Sequence, residues 1–311
     1  MQIYISGSLA FDRIMTFPDK FANHILPDKI HILNVCFLVD GLDERFGGTG
    51  GNIAYSLSLL GEKSVLLSQV GKDFSSYDAW LQEHGISIAG IRTIEQEFTA
   101  GAYITTDKSD NQITGFNPGA MKYPSQFDMT KIDSSDALGI ISPGNLDDMI
   151  AHPKYYRENG IPFIFDPGQQ IPVFSGEQLL EAFDGAEILI TNDYELEMIK
   201  NSTGLTKDEI VDRVAYLITT LGENGCSVNC KGEETLVSAV PVSAVVDPTG
   251  AGDAFRSGLL KGLAMGKPVV EAAKLGSVCG AYAVECNGTQ EHCFTLEEFT
   301  KRFEASFGPM E

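Results

Sequence analysis

The sequence predicts an α/β fold in which one large domain, built on a mostly parallel sheet, carries a second, smaller β-sheet. From residue 65 onward, short apolar runs that are typical of buried strands alternate with segments of helical periodicity. Alternation of this kind indicates a parallel sheet joined by right-handed crossovers. We expect strands at residues 65–70, 138–141, 163–165 and 188–190, and helices at residues 77–83 and 268–283.

Two segments with little helical periodicity predict the smaller sheet. Residues 17–46 contain a strand-like run at 30–39, and residues 98–116 contain two β-rich runs separated by a turn at 107–111. Because the two segments can pair with each other, we assign them to one small sheet. The remaining residues form the large domain, at about 1–16, 47–97 and 117–311.

A glycine-rich stretch at residues 245–255 carries the most chemical information. We expect Val245 and Val246 to end a strand, and a tight loop then leads through two glycines into a helix of apolar periodicity. The N-terminus of a helix exposes unpaired N–H groups and the positive end of the helix dipole, so an anion can bind there. Asp253 lies in the first turn of that helix, where a carboxylate can take a proton while the N–H groups hold developing charge.

Taken by itself, this stretch also has two ordinary interpretations. Glycine-rich turns between strand and helix are common in α/β proteins, and an Asp in the first helical turn often only complements the dipole. Two better-known phosphate loops are excluded. Phe255 stands where the dinucleotide pattern G-x-G-x-x-G requires its third glycine, which disfavours a nicotinamide-dependent oxidoreductase. The pattern G-x-x-x-x-G-K-[ST] is absent from the chain.

The run D-P-T-G-A-G-D-A-F at residues 247–255 resembles the C-terminal signature of the ribokinase-like, or PfkB, family of carbohydrate and nucleoside kinases. The resemblance implies a ribokinase-like three-layer α/β/α domain with a mostly parallel sheet, over which the small β-sheet forms a lid. It also implies phosphoryl transfer from ATP. In that family the aspartate of the Gly-Ala-Gly-Asp run deprotonates the acceptor hydroxyl, and the preceding amides form an anion hole. These roles fall here on Asp253 and on Gly250, Ala251 and Gly252.

Two N-terminal features fit the acceptor site of the same family. Residues 46–54 hold four glycines and lead into a helix with Asn52 at its start, which resembles the family's N-terminal signature. Asp12 follows the first predicted strand, residues 2–7, at the sheet edge where parallel sheets bind ligands. A solvated loop aspartate and a merely flexible glycine loop are the alternatives. The resemblance implies contacts with the sugar for Asp12, Gly48 and Asn52.

Later strand ends fit the nucleotide site of the family. Asn192 and Glu195 have the spacing of its N-x-x-E motif, which is associated with Mg²⁺ and phosphate, and Glu195 would act mainly through water. Residues 220–225 resemble the T-x-G-x-x-G element that lies against ATP, and a simple hairpin turn fits them equally well. The resemblance implies a monovalent cation such as K⁺ near Asp247 and Thr249. It implies nucleotide contacts for Asn192, Thr220, Gly222, Gly225 and, beside the adenine, Asn287.

We expect the acceptor to be a purine nucleoside such as adenosine, inosine or guanosine. Residues 111–121, with residues 24–28 and 165–169, look most like bacterial nucleoside kinases of the adenosine kinase type. Gln112 and Phe116 could bind a purine by hydrogen bonding and stacking, although a place in the lid core is the ordinary role for Phe116. A ribokinase or another sugar kinase of the family is the nearest alternative. A nucleotide-binding regulator without catalysis is an alternative of another class, which the intact base residue disfavours.

The acidic net charge of the chain restricts the kinds of molecule that the protein is expected to bind. With 22 basic and 43 acidic residues, the 311-residue chain has a formal net charge of −21, which disfavours nucleic acid and anionic membranes as partners. A polyphosphate must then be held mainly by backbone amides and Mg²⁺, or by a few placed cations. No signal-peptide pattern or membrane-length apolar stretch is present, so we expect a cytoplasmic enzyme. Lids of the family often form dimer surfaces, which makes a homodimer through the lid the expectation.

Overall fold

Strands and helices alternate along most of the chain. The structure, a computed structural model, describes residues 1–310. The strands are β1 (Gln2–Ser6), β2 (Ala10–Thr16), β3 (Leu42–Gly47), β4 (Ser64–Gly71), β5 (Ile91–Ile94), β6 (Ala100–Thr106), β7 (Gln112–Asn117), β8 (Ala137–Ile141), β9 (Phe163–Phe165), β10 (Ile188–Asn192), β11 (Tyr216–Thr220), β12 (Cys226–Cys230) and β13 (Glu233–Val237). The α-helices are α1 (Thr49–Leu59), α2 (Ser75–Glu83), α3 (Leu146–Glu158), α4 (Gly176–Phe183), α5 (Asp193–Thr203), α6 (Lys207–Val211), α7 (Ala251–Ala264), α8 (Val269–Val284) and α9 (Leu296–Phe307).

The large sheet has nine strands and is mostly parallel, as predicted. Its order is β13-β12-β11-β10-β9-β8-β1-β4-β5. The pairs β11–β12 and β12–β13 are antiparallel, and the other pairs are parallel. The five predicted strands of this sheet are β1, β4, β8, β9 and β10, and the two predicted helices are α2 and α8. Parallel pairing brings the carboxyl ends of the central strands to one edge, where ligands of such sheets bind.

Helices cover both faces of this sheet, which gives the three layers. Alternate residues of β1 point to opposite faces, so that Ile3 and Ile5 belong to the core cluster on the side of α1, α2, α7 and α8, whereas Tyr4 belongs to the cluster on the side of α3, α4, α5 and α6. Helix α9 packs on α8 through Phe299 and Phe303. Within residues 1–310, no helix combines the length and the apolar character that a membrane span requires.

The small sheet, which we call the lid, has four strands. Its order is β3-β2-β6-β7, with β2 antiparallel to β3 and parallel to β6. The predicted boundary assigns residues 10–16 to the large domain, but these residues form lid strand β2, which includes Asp12. Only three residues separate β1 from the lid, and Asp12 lies in the lid itself.

The strand predicted at residues 30–39 is wrong. Residues Pro27–Ile32 form a 3-10 helix, and residues 33–39 have no regular structure. No lid strand lies alongside this segment to share backbone hydrogen bonds. Instead, the ring of Phe37 packs on Phe17 and Phe21, with centroids 4.7 and 5.1 Å apart. Aromatic contacts thus hold the segment without a β-ladder.

The strand expected at Val245 and Val246 is also wrong. These side chains are 64% and 57% exposed, and the segment before α7 is an irregular loop. The Val246 N–H donates to the Val284 carbonyl, 2.7 Å away at the end of α8. Since the sheet already ends at β13, this loop runs beside helix ends and has no strand to pair with.

Candidate active site

An open cavity of ≈ 840 Å³ lies at the carboxyl ends of the central strands and is lined from both the large domain and the lid. A volume of this size is at the upper end of sites for small organic ligands. The predicted site residues that line it are Asp12, Gly48, Asn52, Phe116, Asn192, Glu195, Thr220, Gly222, Gly250, Gly252 and Asp253. The structure therefore brings together residues from β2, α1, β7, the strand ends and α7.

The N-terminus of α7 opens onto this cavity. Gly250 is the N-cap at φ +78°, a left-handed conformation that favours glycine, and no side chain caps the helix. The Ala251 N–H donates to the Pro248 carbonyl over 3.3 Å, and Ala251 does not line the cavity. In the first turn, the N–H groups of Gly252 and Asp253 have no helical carbonyl to bind. These two groups are the free donors that the helix offers to an anion.

Asp253 lies at the meeting point of α7 and α1. Its Oδ2 accepts a 2.8 Å hydrogen bond from Asn52 Nδ2. Burial raises the pKa of Asp253 to about 6, although the Arg256 guanidinium and the Asn52 hydrogen bond act in the opposite direction. A carboxylate with this pKa is mostly ionised at neutral pH and is still basic enough to accept a proton.

Gln290 fixes the orientation of the Asn52 amide, and sequence reasoning missed it. Its Nε2 donates to Asn52 Oδ1 over 3.0 Å and to the Tyr77 hydroxyl over 2.6 Å. Its Oε1 accepts from Trp80 Nε1 over 2.9 Å. Because the Asn52 oxygen is occupied in this way, the Asn52 nitrogen faces Asp253. No motif around Gln290 could have indicated this contact, since Gln290 and Asn52 are 238 residues apart in the chain.

The lid contributes an acid and an aromatic ring to the cavity. Asp12 on β2 lies opposite Arg45 on β3, and burial raises the pKa of Asp12 while Arg45 acts in the opposite direction. Phe116 on β7 lines the cavity and is 54% exposed. Gln112, at the other end of β7, does not line the cavity, and its amide donates to Thr106 Oγ1 over 3.3 Å.

Asn192 and Glu195 form a reciprocal cap at the start of α5. The Glu195 N–H donates to Asn192 Oδ1 over 2.7 Å, and the Asn192 N–H donates to Glu195 Oε2 over 2.8 Å. The N-x-x-E spacing is thus a capping box that holds both side chains at the cavity. Burial raises the pKa of Glu195, and the Asp166 carboxylate acts in the same direction.

Thr220 and Gly222 reach the cavity from the turn between β11 and β12, whereas two other predicted nucleotide contacts do not line it. Gly225, at φ +86°, closes that turn, so residues 220–225 are indeed part of a hairpin. Asn287 accepts a 2.8 Å hydrogen bond from Arg45 Nη1. This contact ties the loop after α8 to lid strand β3.

A buried ion pair between Asp166 and Arg256 lies in the lining, and sequence reasoning did not identify its basic member. Asp166 follows β9, and Arg256 lies on α7, three residues after Asp253. Arg256 Nε and Nη2 both donate to the Asp166 carboxylate, the latter over 2.6 Å. The residues are 1% and 6% exposed, respectively. The available signal was a basic residue three positions after Asp253, about one turn along the same helix.

The raised pKa of Asp253 predicts a stability change that depends on pH. The ordinary pKa of 3.8 rises to about 6 in the folded chain, so ionisation of Asp253 opposes folding. The stability associated with protonated Asp253 is present below about pH 4 and is lost as the pH rises through about 6. Asp253→Asn should therefore increase the free energy of unfolding at pH 8 by about 1–3 kcal/mol. The gain should shrink towards pH 5.

Urea denaturation at both pH values measures this effect. Asp212→Asn, a substitution of an exposed aspartate outside the cavity, is the control and should leave the unfolding free energy nearly unchanged at both. A gain for Asp253→Asn that is the same at pH 5 and pH 8 would contradict the raised pKa.

Comparison with known proteins agrees with this fold. A model of the pfkB family carbohydrate kinases matches residues 24–295. A nucleoside kinase of Methanocaldococcus jannaschii is 31% identical over 274 residues, which are 87% of this chain and 89% of the relative. A ribokinase of Haemophilus influenzae is 26% identical, over 81% of this chain and 85% of its own length.

A nucleoside kinase of Burkholderia thailandensis has been solved in complex with inosine and in complex with ADP-inosine. The inosine complex is 38% identical, covers 98% of both chains and has a TM-score of 0.86. The ADP-inosine complex is 39% identical, covers 98% of this chain and 96% of that one, and has a TM-score of 0.84. Because the family model matches most of the chain and similar structures cover nearly all of it, this protein belongs to the pfkB family of carbohydrate kinases.

Proposed function

We propose that the protein transfers the γ-phosphoryl group of ATP to the 5′-hydroxyl of a purine nucleoside, with Asp253 as the general base. The observation that carries the proposal is the position of Asp253, which is held by Asn52 at the open N-terminus of α7. That arrangement places a proton acceptor beside donors for developing negative charge. The Burkholderia relative that binds inosine supports a purine nucleoside as the acceptor.

The acceptor would lie between the lid and α1. Asp12 on β2 and Asn52 on α1 line the same cavity and offer a carboxylate and an amide to the hydroxyl groups of a ribose. Phe116 and Met121 line it as well, and an exposed aromatic ring can stack on a purine. The purine ring of the nucleoside would then contact the lid, while its 5′-hydroxyl would point towards Asp253.

In the proposed reaction, the 5′-oxygen forms a bond to the γ-phosphorus while the bond from that phosphorus to the oxygen bridging the β- and γ-phosphates breaks. The proton of the hydroxyl passes to Asp253, and ADP leaves. The free N–H groups of Gly252 and Asp253 would stabilise charge on the transferring group. Closure of the lid would keep water from the γ-phosphoryl group.

The strand ends would hold the nucleotide. Asn192, Thr220 and Gly222 line the cavity on the side of β10 and β11. Glu195 offers the carboxylate oxygen that suits Mg²⁺ in its hydrated form, and Mg²⁺ would neutralise part of the phosphate charge. The proposal keeps the other four predicted contacts, although none of these residues lines the cavity: Ala251 in the anion hole, Gln112 at the purine, and Gly225 and Asn287 beside the nucleotide. It also includes K⁺ near Asp247 and Thr249.

The acceptor class can be tested by measuring ADP formation with ATP and a panel of acceptors. We expect kcat/KM to be higher for adenosine, inosine or guanosine than for cytidine, ribose and fructose 6-phosphate, because a purine adds the contact with Phe116. The ribokinase relative makes ribose the most informative competitor. A preference for ribose over all purine nucleosides would overturn the nucleoside assignment and leave a sugar kinase.

A substitution in the lid tests the contact with the base. Phe116→Ala should raise KM for inosine by about tenfold, since stacking of a base on an aromatic ring contributes ~1–3 kcal/mol. KM for ATP should change little. Ile113→Ala on the same strand is a matched control, because Ile113 is 45% exposed and does not line the cavity. Equal effects of the two substitutions on KM for inosine would show that the purine does not stack on Phe116.

A further inference from the structure

Within residues 1–310, Arg256 is the only basic side chain that lines the cavity. Five acidic side chains line it as well, namely Asp12, Asp166, Asp193, Glu195 and Asp253. A triphosphate that enters this cavity therefore meets a strongly acidic lining. Any direct contact between a cationic side chain of the lining and the phosphates must involve Arg256.

The guanidinium of Arg256 has one nitrogen with no protein partner. Nε and Nη2 donate to the two oxygens of Asp166, and no described residue accepts from Nη1. The guanidinium lies directly against the first turn of α7, since a Cβ added at Gly252 would be 2.8 Å from Nη1. Nη1 is thus the free edge of the guanidinium, next to the open N–H groups of this helix end.

We propose that Arg256 is a catalytic residue that donates a hydrogen bond from Nη1 to the transferring phosphoryl group of ATP, and that Asp166 is the positioning residue that holds its guanidinium. The proposal rests on phosphoryl transfer as the proposed function and adds a donor to the two N–H groups of α7. The transition state of such a transfer spreads negative charge over the three equatorial oxygens of the phosphoryl group. A fixed cation at this position therefore acts where the charge develops.

The geometry of the pair fits this role better than a purely structural one. A buried ion pair is weak evidence for stability, because removing two charges from water opposes their attraction. The bidentate contact fixes the plane of the guanidinium, so Nη1 keeps its direction without a substrate. Arg302 makes a comparable contact with Glu285, through Nη1 over 2.8 Å and Nη2 over 3.1 Å, but outside the cavity. Arg302 is therefore a matched control.

The test compares wild type, Arg256→Lys, Arg302→Lys and the double variant Asp166→Asn/Arg256→Gln. Lysine keeps the charge beside Asp166 but lacks the planar fork. The double variant removes both charges of the pair, so neither partner is left as a buried charge without the other, and it remains informative if the single variant fails to fold. The assays are ADP formation with the nucleoside that wild type prefers, calorimetric titration of ADP and of that nucleoside, and thermal unfolding.

We expect kcat of Arg256→Lys and of the double variant to fall roughly 10–100-fold, the range for loss of one charge-assisted hydrogen bond. The affinities for ADP and nucleoside should stay unchanged, since neither ligand carries the transferring group. Arg302→Lys should keep the kcat of wild type. Wild-type kcat in a folded Arg256 variant would overturn the proposal, as would a parallel loss of ADP and nucleoside affinity. If wild type accepts only a sugar, the same comparison with that sugar still tests Arg256, so the two failures are distinguishable.

Discussion

The hydrogen bond between Asn52 and Asp253 joins the two helices on which the cavity depends. The two residues are 201 positions apart in the chain, and each lies near the start of its helix, α1 or α7. Gln290 fixes the Asn52 amide and also binds the Tyr77 hydroxyl, which donates to the Gly47 carbonyl at the end of lid strand β3. One buried network thus connects Asp253, the proposed general base, with Asn52, the proposed contact to the acceptor, and with the end of lid strand β3.

Charge is the second constraint on this site. A chain with a net charge of −21 must bind a polyphosphate through positive potential that is local. The open N-terminus of α7 supplies two N–H groups, and the proposed contact with Arg256 supplies a cation on the same helix. The sequence predicts that backbone amides and Mg²⁺, or a few placed cations, supply this potential. The role of Arg256 could not be predicted from the sequence, because only the fold brings Asp166 into contact with it.

The sequence predicted those features of the fold that depend on local patterns. The sequence correctly predicted helix α8 and apolar strands such as β8 and β9, each of which lies between two neighbouring strands. The runs at 30–39 and 245–246 have similar composition but no strand beside them, and only the tertiary structure shows that. The same limit applies to the site. Motifs located most of the lining, whereas Gln290 and Arg256 act through partners that are distant in the chain.

The most direct test of this account is the turnover of Asp253→Asn with ATP and a purine nucleoside, measured together with calorimetric binding of ATP. If Asp253 takes the proton of the acceptor hydroxyl, turnover should fall by about 10²–10⁴-fold, the usual contribution of a general base. Binding of ATP should be retained, because the substitution preserves the shape of the side chain. Turnover close to that of wild type would contradict the assignment of Asp253 as the base.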